Sequence, residues 1–205
     1  MIRHGTTDGN VAGLFLGRTD LPLNGVGLEE AQKVATRLRS EPFAALVSSD
    51  LLRARMTADA IADLRLDAVP RFVEPRLREM DLGDFDGLPA RDVHTTHPDL
   101  ITQWRSDPSQ LRMPGPTAET LTEVQTRSIA ALSELAARYP GQDVAVVTHT
   151  FVLLSVLCHV LGVPLSQFRR LFVDRASLTI IEFGGEYPVL RSFNDVAHLR
   201  PSTPP

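Results

Sequence analysis

The run "DVAVVTHT", residues 143–150, constrains the fold more than any other stretch. It is valine-rich with no polar alternation, which marks a strand buried on both faces. It runs straight into "FVLLSVLCHVLG", a buried helix that closes at Gly162. A strand covered on both faces needs helices above and below it, so the chain must be an α/β protein. The remaining segments agree. "GVGLEEAQKVATRLRS" places Leu28, Ala31, Val34, Ala35 and Leu38 at helical spacing. "AALVSSD" reads as a short buried strand ending in a loop, "LLRARMTADAIADL" as a helix and "DAVPRFVE" as another strand. "TAETLTEVQTRSIAALSELAARY" reads as a long helix with Thr117 as N-cap. "ASLTIIEF" and "YPVLRSF" read as late strands joined in a hairpin through "GGEY". The expected architecture is a three-layer α/β/α sandwich around a mainly parallel sheet. At 205 residues, one domain over 1–199 is expected, with a disordered tail at 200–205.

In open α/β sheets, ligands bind beyond the carboxyl ends of the strands. Three sequence-distant places satisfy that rule here. They are Arg3-His4 in the opening "MIRHGTTDGN", Ser48 to Arg53 after the second strand, and Thr148-His149 after the valine-rich strand. Arginines are permanent cations with planar donor forks suited to a phosphoryl group. His149 begins a helix, where backbone N–H groups favour an anion. A neutral His4 facing a phosphoryl group held by Arg3 and Arg53 is a competent nucleophile. A carboxyl group with a raised pKa would complete the set by protonating the leaving oxygen.

Composition excludes other classes. The formal net charge of −4 argues against nonspecific nucleic-acid binding, which needs a basic surface. The longest apolar run is too short to span a bilayer and no signal peptide is visible, so the expectation is a soluble, cytoplasmic protein. The single cysteine, Cys158, rules out an intrachain disulfide and reads as a small core hydrophobe. "HTTH" at 94–97 resembles a metal pair only loosely; His94, His97, His159 and His198 read as structural, with His159 buried in its helix. No metal and no other cofactor is expected. Nothing in the sequence sets the oligomeric state, for which a homodimer is the general default.

"RHGTTDGN" resembles the R-H-G-x-T-x-x-N signature of the histidine phosphatase superfamily, in its phosphoglycerate-mutase-like branch. The resemblance continues through "GRTDLPLNGVG", "SSDLLRARMTA", "LREMDLGDFDG", "GPTAET", "VVTHT", "ASLTIIEF" and "FNDVAHL", essentially the whole chain in order. It implies that His4 becomes phosphohistidine while Arg3, Arg53 and His149 hold the phosphoryl oxygens. It implies that Glu79 protonates the leaving group and then activates water, with Asp81, Asp84 and Asp86 as rival acids. Thr7 and Asn10 would support the pocket, and Gly17 and Thr150 would join the substrate-binding set. The family's transfer uses no metal.

Two departures matter. Only Met1 and Ile2 precede the Arg-His pair, so the first strand should be short and poorly paired. Thr150 stands where the family often has glycine, which would narrow the pocket or add a hydroxyl. The resemblance leaves three readings. Mutases of the family carry extra basic residues after the acid, but "MDLGDFDGLPARDVHTTHPDLITQW" offers only Arg91. Hydrolysis of a small phosphorylated metabolite is therefore the main expectation. A mutase-type isomerase and a non-catalytic phosphate-binding relative are the alternatives. Segment 88–116, with Trp104, Leu111 and Met113 beside Arg105 and Arg112, is expected to be a cap that sets specificity. Sugar phosphates, phosphoglycerate derivatives, nucleotide-related esters and cobalamin precursors all fit.

Overall fold

The computed structural model describes residues 1–200. The expected tail therefore falls outside the described residues apart from Arg200. Six strands form one sheet in the order β3-β2-β4-β1-β5-β6. These are β1 (Ile2–Arg3), β2 (Ala45–Ser48), β3 (Arg71–Val73), β4 (Val144–Thr148), β5 (Leu178–Glu182) and β6 (Val189–Asp195). The pairs β3/β2, β2/β4 and β4/β1 are parallel, whereas β1/β5 and β5/β6 are antiparallel. The fold is α/β with a mainly parallel centre and the expected hairpin at one edge.

Side-chain alternation along the strands splits the core in two. Leu46, Ala145 and Val147 face one way, onto Ala31, Val34 and Ala35 of α2 (Gly25–Leu38) and Ala58 and Ile61 of α3 (Leu52–Leu64). Val47 and Val146 face the other way, onto Val124 and Ala131 of α6 (Leu121–Arg138) and Val152, Leu153 and Leu157 of α7 (Thr150–Leu161). A short α1 (Asp8–Val11) follows β1, and α4 (Ala90–Thr96) and α5 (Pro98–Ser106) lie in the 88–116 segment. Gly162 ends α7 in the left-handed region at φ 64°. Among the described residues, no helix is long and apolar enough to cross a membrane.

Three expectations need correction. The cap of α6 is Thr120, not Thr117: Thr120 accepts from the Glu123 N–H, and the Glu123 carboxylate accepts from the Thr120 N–H. That reciprocal box outcompetes a lone threonine one turn earlier. His159 is exposed, on the solvent side of α7, while Cys158 beside it is buried and its thiol is pushed up to about 11 by burial. Finally, β1 is only two residues long yet well paired. The His4 N–H donates to the Thr148 carbonyl at 3.0 Å, and the Thr179 N–H donates to the Met1 carbonyl at 2.9 Å. A central strand is held from both sides, so neighbours compensate for length.

Candidate active site

The register of β1 against β4 pairs Arg3 with Thr148, which puts His4 and His149 at the same level at the sheet edge. Their ring centroids are 5.0 Å apart. Both are buried. His4 Nδ1 lies 2.7 Å from the Gly5 carbonyl oxygen. A carbonyl can only accept, so Nδ1 carries the proton and the lone pair sits on Nε2. Arg53 Nε donates to that lone pair at 3.3 Å.

Arg53 leaves the first turn of α3 and is 0% exposed. Its Nη1 donates to the Thr19 carbonyl at 3.0 Å and its Nη2 to the Gly17 carbonyl at 2.7 Å. The 17–19 loop is held from behind by Asp86, whose carboxylate accepts from the N–H groups of Gly17, Arg18 and Thr19. Gly17 is required there, since a Cβ would come within 2.6 Å of the Met80 carbonyl oxygen. Arg3 donates from Nη1 to the Val173 carbonyl at 2.7 Å, and its Nε is buried without a protein partner. Burial lowers the Arg3 guanidinium to about 10, still cationic at neutral pH. Among the described residues, neither Arg3 nor Arg53 forms an ion pair. Two buried guanidinium charges satisfied only by neutral acceptors suit a dianionic phosphoryl group.

Glu79 follows a 3₁₀ turn at Pro75–Leu77 and is buried. Its Oε1 accepts from the Met80 N–H at 2.9 Å and from the Phe151 N–H, in the first turn of α7, at 3.2 Å. Burial raises its pKa, against the pull of the Met80 N–H and of Arg53. The rival acids are otherwise engaged: Asp81 pairs with Arg18 at 3.1 Å, Asp86 holds the 17–19 loop, and Asp84 is exposed. Thr7 and Asn10 form a capping box on α1, with Asn10 Oδ1 accepting from the Thr7 N–H and hydroxyl. Thr150 is half-buried at the first position of α7, next to Phe151.

Sequence reasoning missed a polar network behind the acid. Arg127 donates to both Glu119 oxygens, to the Arg76 carbonyl at 2.6 Å and to the Glu79 carbonyl at 3.2 Å. Arg18 joins Asp81 to Glu119. The network clamps the backbone on either side of Glu79. Its one sequence signal was "GPTAET", which contains Glu119. The histidines of "HTTH" instead pack on aromatic rings, His94 on Phe15 and His97 on Phe85.

Burial and the neighbouring arginines hold both His4 and His149 well below their ordinary pKa. Each would take up a proton near pH 6.5 only on unfolding, so the unfolded state binds more protons below that pH. Stability should therefore fall as pH drops below about 6.5, by up to about 1.4 kcal/mol per pH unit for each histidine. Glu79, with its raised pKa, works in the opposite sense and offsets part of this slope. Denaturant midpoints between about pH 7.5 and about pH 5.5 will measure it. A flat profile would contradict two neutral buried imidazoles.

Comparison with known proteins gives the family. The family model of the histidine phosphatase superfamily (branch 1) matches residues 1–196. A metal-independent phosphoserine phosphatase of Arabidopsis thaliana is 32% identical, over 97% of this chain and 82% of that protein. A protein of Proteus mirabilis named probable phosphoglycerate mutase GpmB is 34% identical, over 97% of this chain and 93% of its own. Among solved structures, Bacillus stearothermophilus YhfR superposes with a TM-score of 0.89 at 29% identity, over 97% of each chain. With the model match running over nearly all of its length, the chain belongs to the histidine phosphatase superfamily.

Proposed function

We propose that this chain is a metal-independent phosphomonoester hydrolase that works through a phosphohistidine at His4. The observation that carries the reading is the His4 tautomer: Nδ1–H on the Gly5 carbonyl, with the Nε2 lone pair turned to the buried Arg53. An incoming phosphoryl group draws the guanidinium onto its oxygens and frees Nε2. Nε2 then attacks phosphorus, the bond to the ester oxygen breaks, and the Glu79 carboxyl proton goes to the departing alcohol. In the second step water attacks phosphorus and gives a proton to the Glu79 carboxylate. The N–P bond breaks and inorganic phosphate leaves. Arg3, Arg53 and His149 stabilise the charge on the equatorial oxygens in both steps. Asn10, Thr7, Gly17 and Thr150 line or support the phosphoryl pocket.

The 88–116 segment serves as the cap that selects the alcohol. Trp104 of α5 meets Phe151 at a ring distance of 5.8 Å, and the Phe151 N–H binds Glu79. The cap therefore touches the site beside the acid. A mutase reading has in its favour the names of several relatives, from Proteus and Yersinia, called probable phosphoglycerate mutase GpmB. It needs cations to retain a second acidic group while the intermediate turns over. Arg78 is engaged by Asp50, Arg18 by Asp81 and Glu119, and the exposed Arg91 by Asp92. Among the described residues, that leaves Arg175, whose charge reaches Arg3 and His4, as the one of these candidate cations by the site without an ion pair.

The test is phosphate release from phosphoserine, phosphoglycerates, sugar phosphates, mononucleotides and p-nitrophenyl phosphate, with EDTA present. Hydrolysis of at least one ester, unaffected by EDTA, is expected, with an acid-labile phosphoenzyme trapped by rapid quench. Loss of activity in EDTA would overturn metal independence. Isomerisation primed by a bisphosphorylated compound, without net phosphate release, would establish the mutase instead.

A further inference from the structure

His149 Nε2 lies 2.8 Å from the hydroxyl oxygen of Ser49, both residues being fully buried. The Ser49 oxygen also accepts the Leu51 N–H at 3.2 Å. A serine hydroxyl has one proton to give. Its remaining partner is His149 Nε2. If that hydroxyl donates, Nε2 carries the lone pair and the proton of the neutral imidazole sits on Nδ1. His149 Nδ1 is buried and has no partner within the protein. Although His149 is the N-cap of α7, its ring makes no capping bond and lies against His4 instead. The opposite tautomer would leave the Ser49 proton idle. It would also present a lone pair, rather than a donor, beside the nucleophile.

We propose that Ser49 is a positioning residue that fixes the tautomer of His149, so that His149 acts on the phosphoryl group as a neutral Nδ1–H donor and not as a cation. The assignment rests on the phosphoryl-transfer reading for its purpose but not for its test. A buried N–H without a partner costs about 1–3 kcal/mol. A phosphoryl oxygen meeting Nδ1 removes that cost in the bound state, which is where a transition-state donor is useful. Neutrality also has an electrostatic reason. The charges of Arg53, Arg127 and Arg3 act on His149, and a further full charge beside them would be repelled. On the α7 side the Glu79 carboxyl is occupied by the Met80 and Phe151 N–H groups and does not bond the ring.

The experiment is a long-range nitrogen–proton NMR spectrum of the full chain labelled with nitrogen-15 histidine near neutral pH, with His149→Gln used to assign the signals. The expected His149 pattern is a protonated Nδ1 and an unprotonated Nε2. In Ser49→Ala that pattern should shift toward the other tautomer or a mixture. The same variant should lose roughly tenfold to 100-fold in kcat with little change in KM, less than the ~10²–10³ for deleting an oxyanion donor outright. A protonated Nε2 in the wild-type protein overturns the proposal whatever the variant does, including failing to fold. A Ser49→Ala enzyme with lower kcat but an unchanged His149 pattern also overturns it. If the wild-type tautomer is as assigned but no phosphomonoester is hydrolysed, the tautomer stands and the hydrolase reading fails.

Discussion

Replacing His4 with alanine is expected to lower kcat by on the order of 10⁴-fold or more on every phosphomonoester the wild type accepts, since nothing else at the site can take its place. The second histidine is no substitute. His149 has Nε2 occupied by Ser49, whereas His4 offers a lone pair on Nε2 with Nδ1 anchored on the Gly5 carbonyl. Binding should survive the change. Arg3 keeps the Val173 carbonyl, and Arg53 loses its bond to His4 Nε2 but keeps the Thr19 and Gly17 carbonyls. Inorganic phosphate should therefore still raise the melting temperature of the variant while no phosphoenzyme forms. Turnover within tenfold of wild type would remove His4 from the role of nucleophile.

The candidate site is legible in the sequence because the sheet does the assembling. Arg3-His4, Arg53 and His149 each stand at the carboxyl end of a strand or one turn beyond it, and parallel pairing of β1, β4 and β2 brings those ends side by side. Any reader of the alternating pattern can foresee that convergence. What was not legible depends on which of two like residues a local geometry selects. Thr117 and Thr120 are equally good caps in composition, and only the reciprocal bond with Glu123 separates them. Ser48 and Ser49 are neighbours in "SSD", but only Ser49 lies within hydrogen-bond distance of His149, because strand alternation sends the two side chains to different places. Leu28 fits the helical period of α2, yet the helix turns that position to solvent. The Arg127–Glu119–Arg18–Asp81 network joins four separate segments, and no spacing rule connects them.

That network bears on the second large effect, at Glu79. Glu79→Gln is expected to lower kcat/KM on alkyl phosphates by about 10²–10⁴-fold, the usual contribution of a positioned proton donor. Oε1 receives the Met80 N–H and the shorter arm of a Phe151 N–H shared with Oε2 (3.2 and 3.4 Å), so Oε2 is the less engaged oxygen and the place for the transferable proton. A glutamine can keep the two accepted bonds through its own oxygen, and the backbone clamp by Arg127 does not involve the side chain, so the variant should fold. Its amide cannot release a proton or take one from water. The loss should be much smaller for the first step with p-nitrophenyl phosphate, whose phenolate leaves without protonation. The second step still needs a base, so phosphohistidine should accumulate and appear as a burst approaching one product per site. The pH profile gives an independent reading. Burial raises the Glu79 pKa, and the acid form is the active one in the first step, so wild-type kcat/KM for alkyl esters should fall as pH rises through that pKa. His4 must stay neutral, and its lowered pKa keeps it so down to pH values well under the ordinary histidine range. In Glu79→Gln the basic limb should vanish while the acid limb stays. A variant that keeps both the alkyl-ester rate and the basic limb would place the proton donor elsewhere. Asp81 and Asp86 could take that role only by giving up Arg18 and the 17–19 loop that holds Arg53.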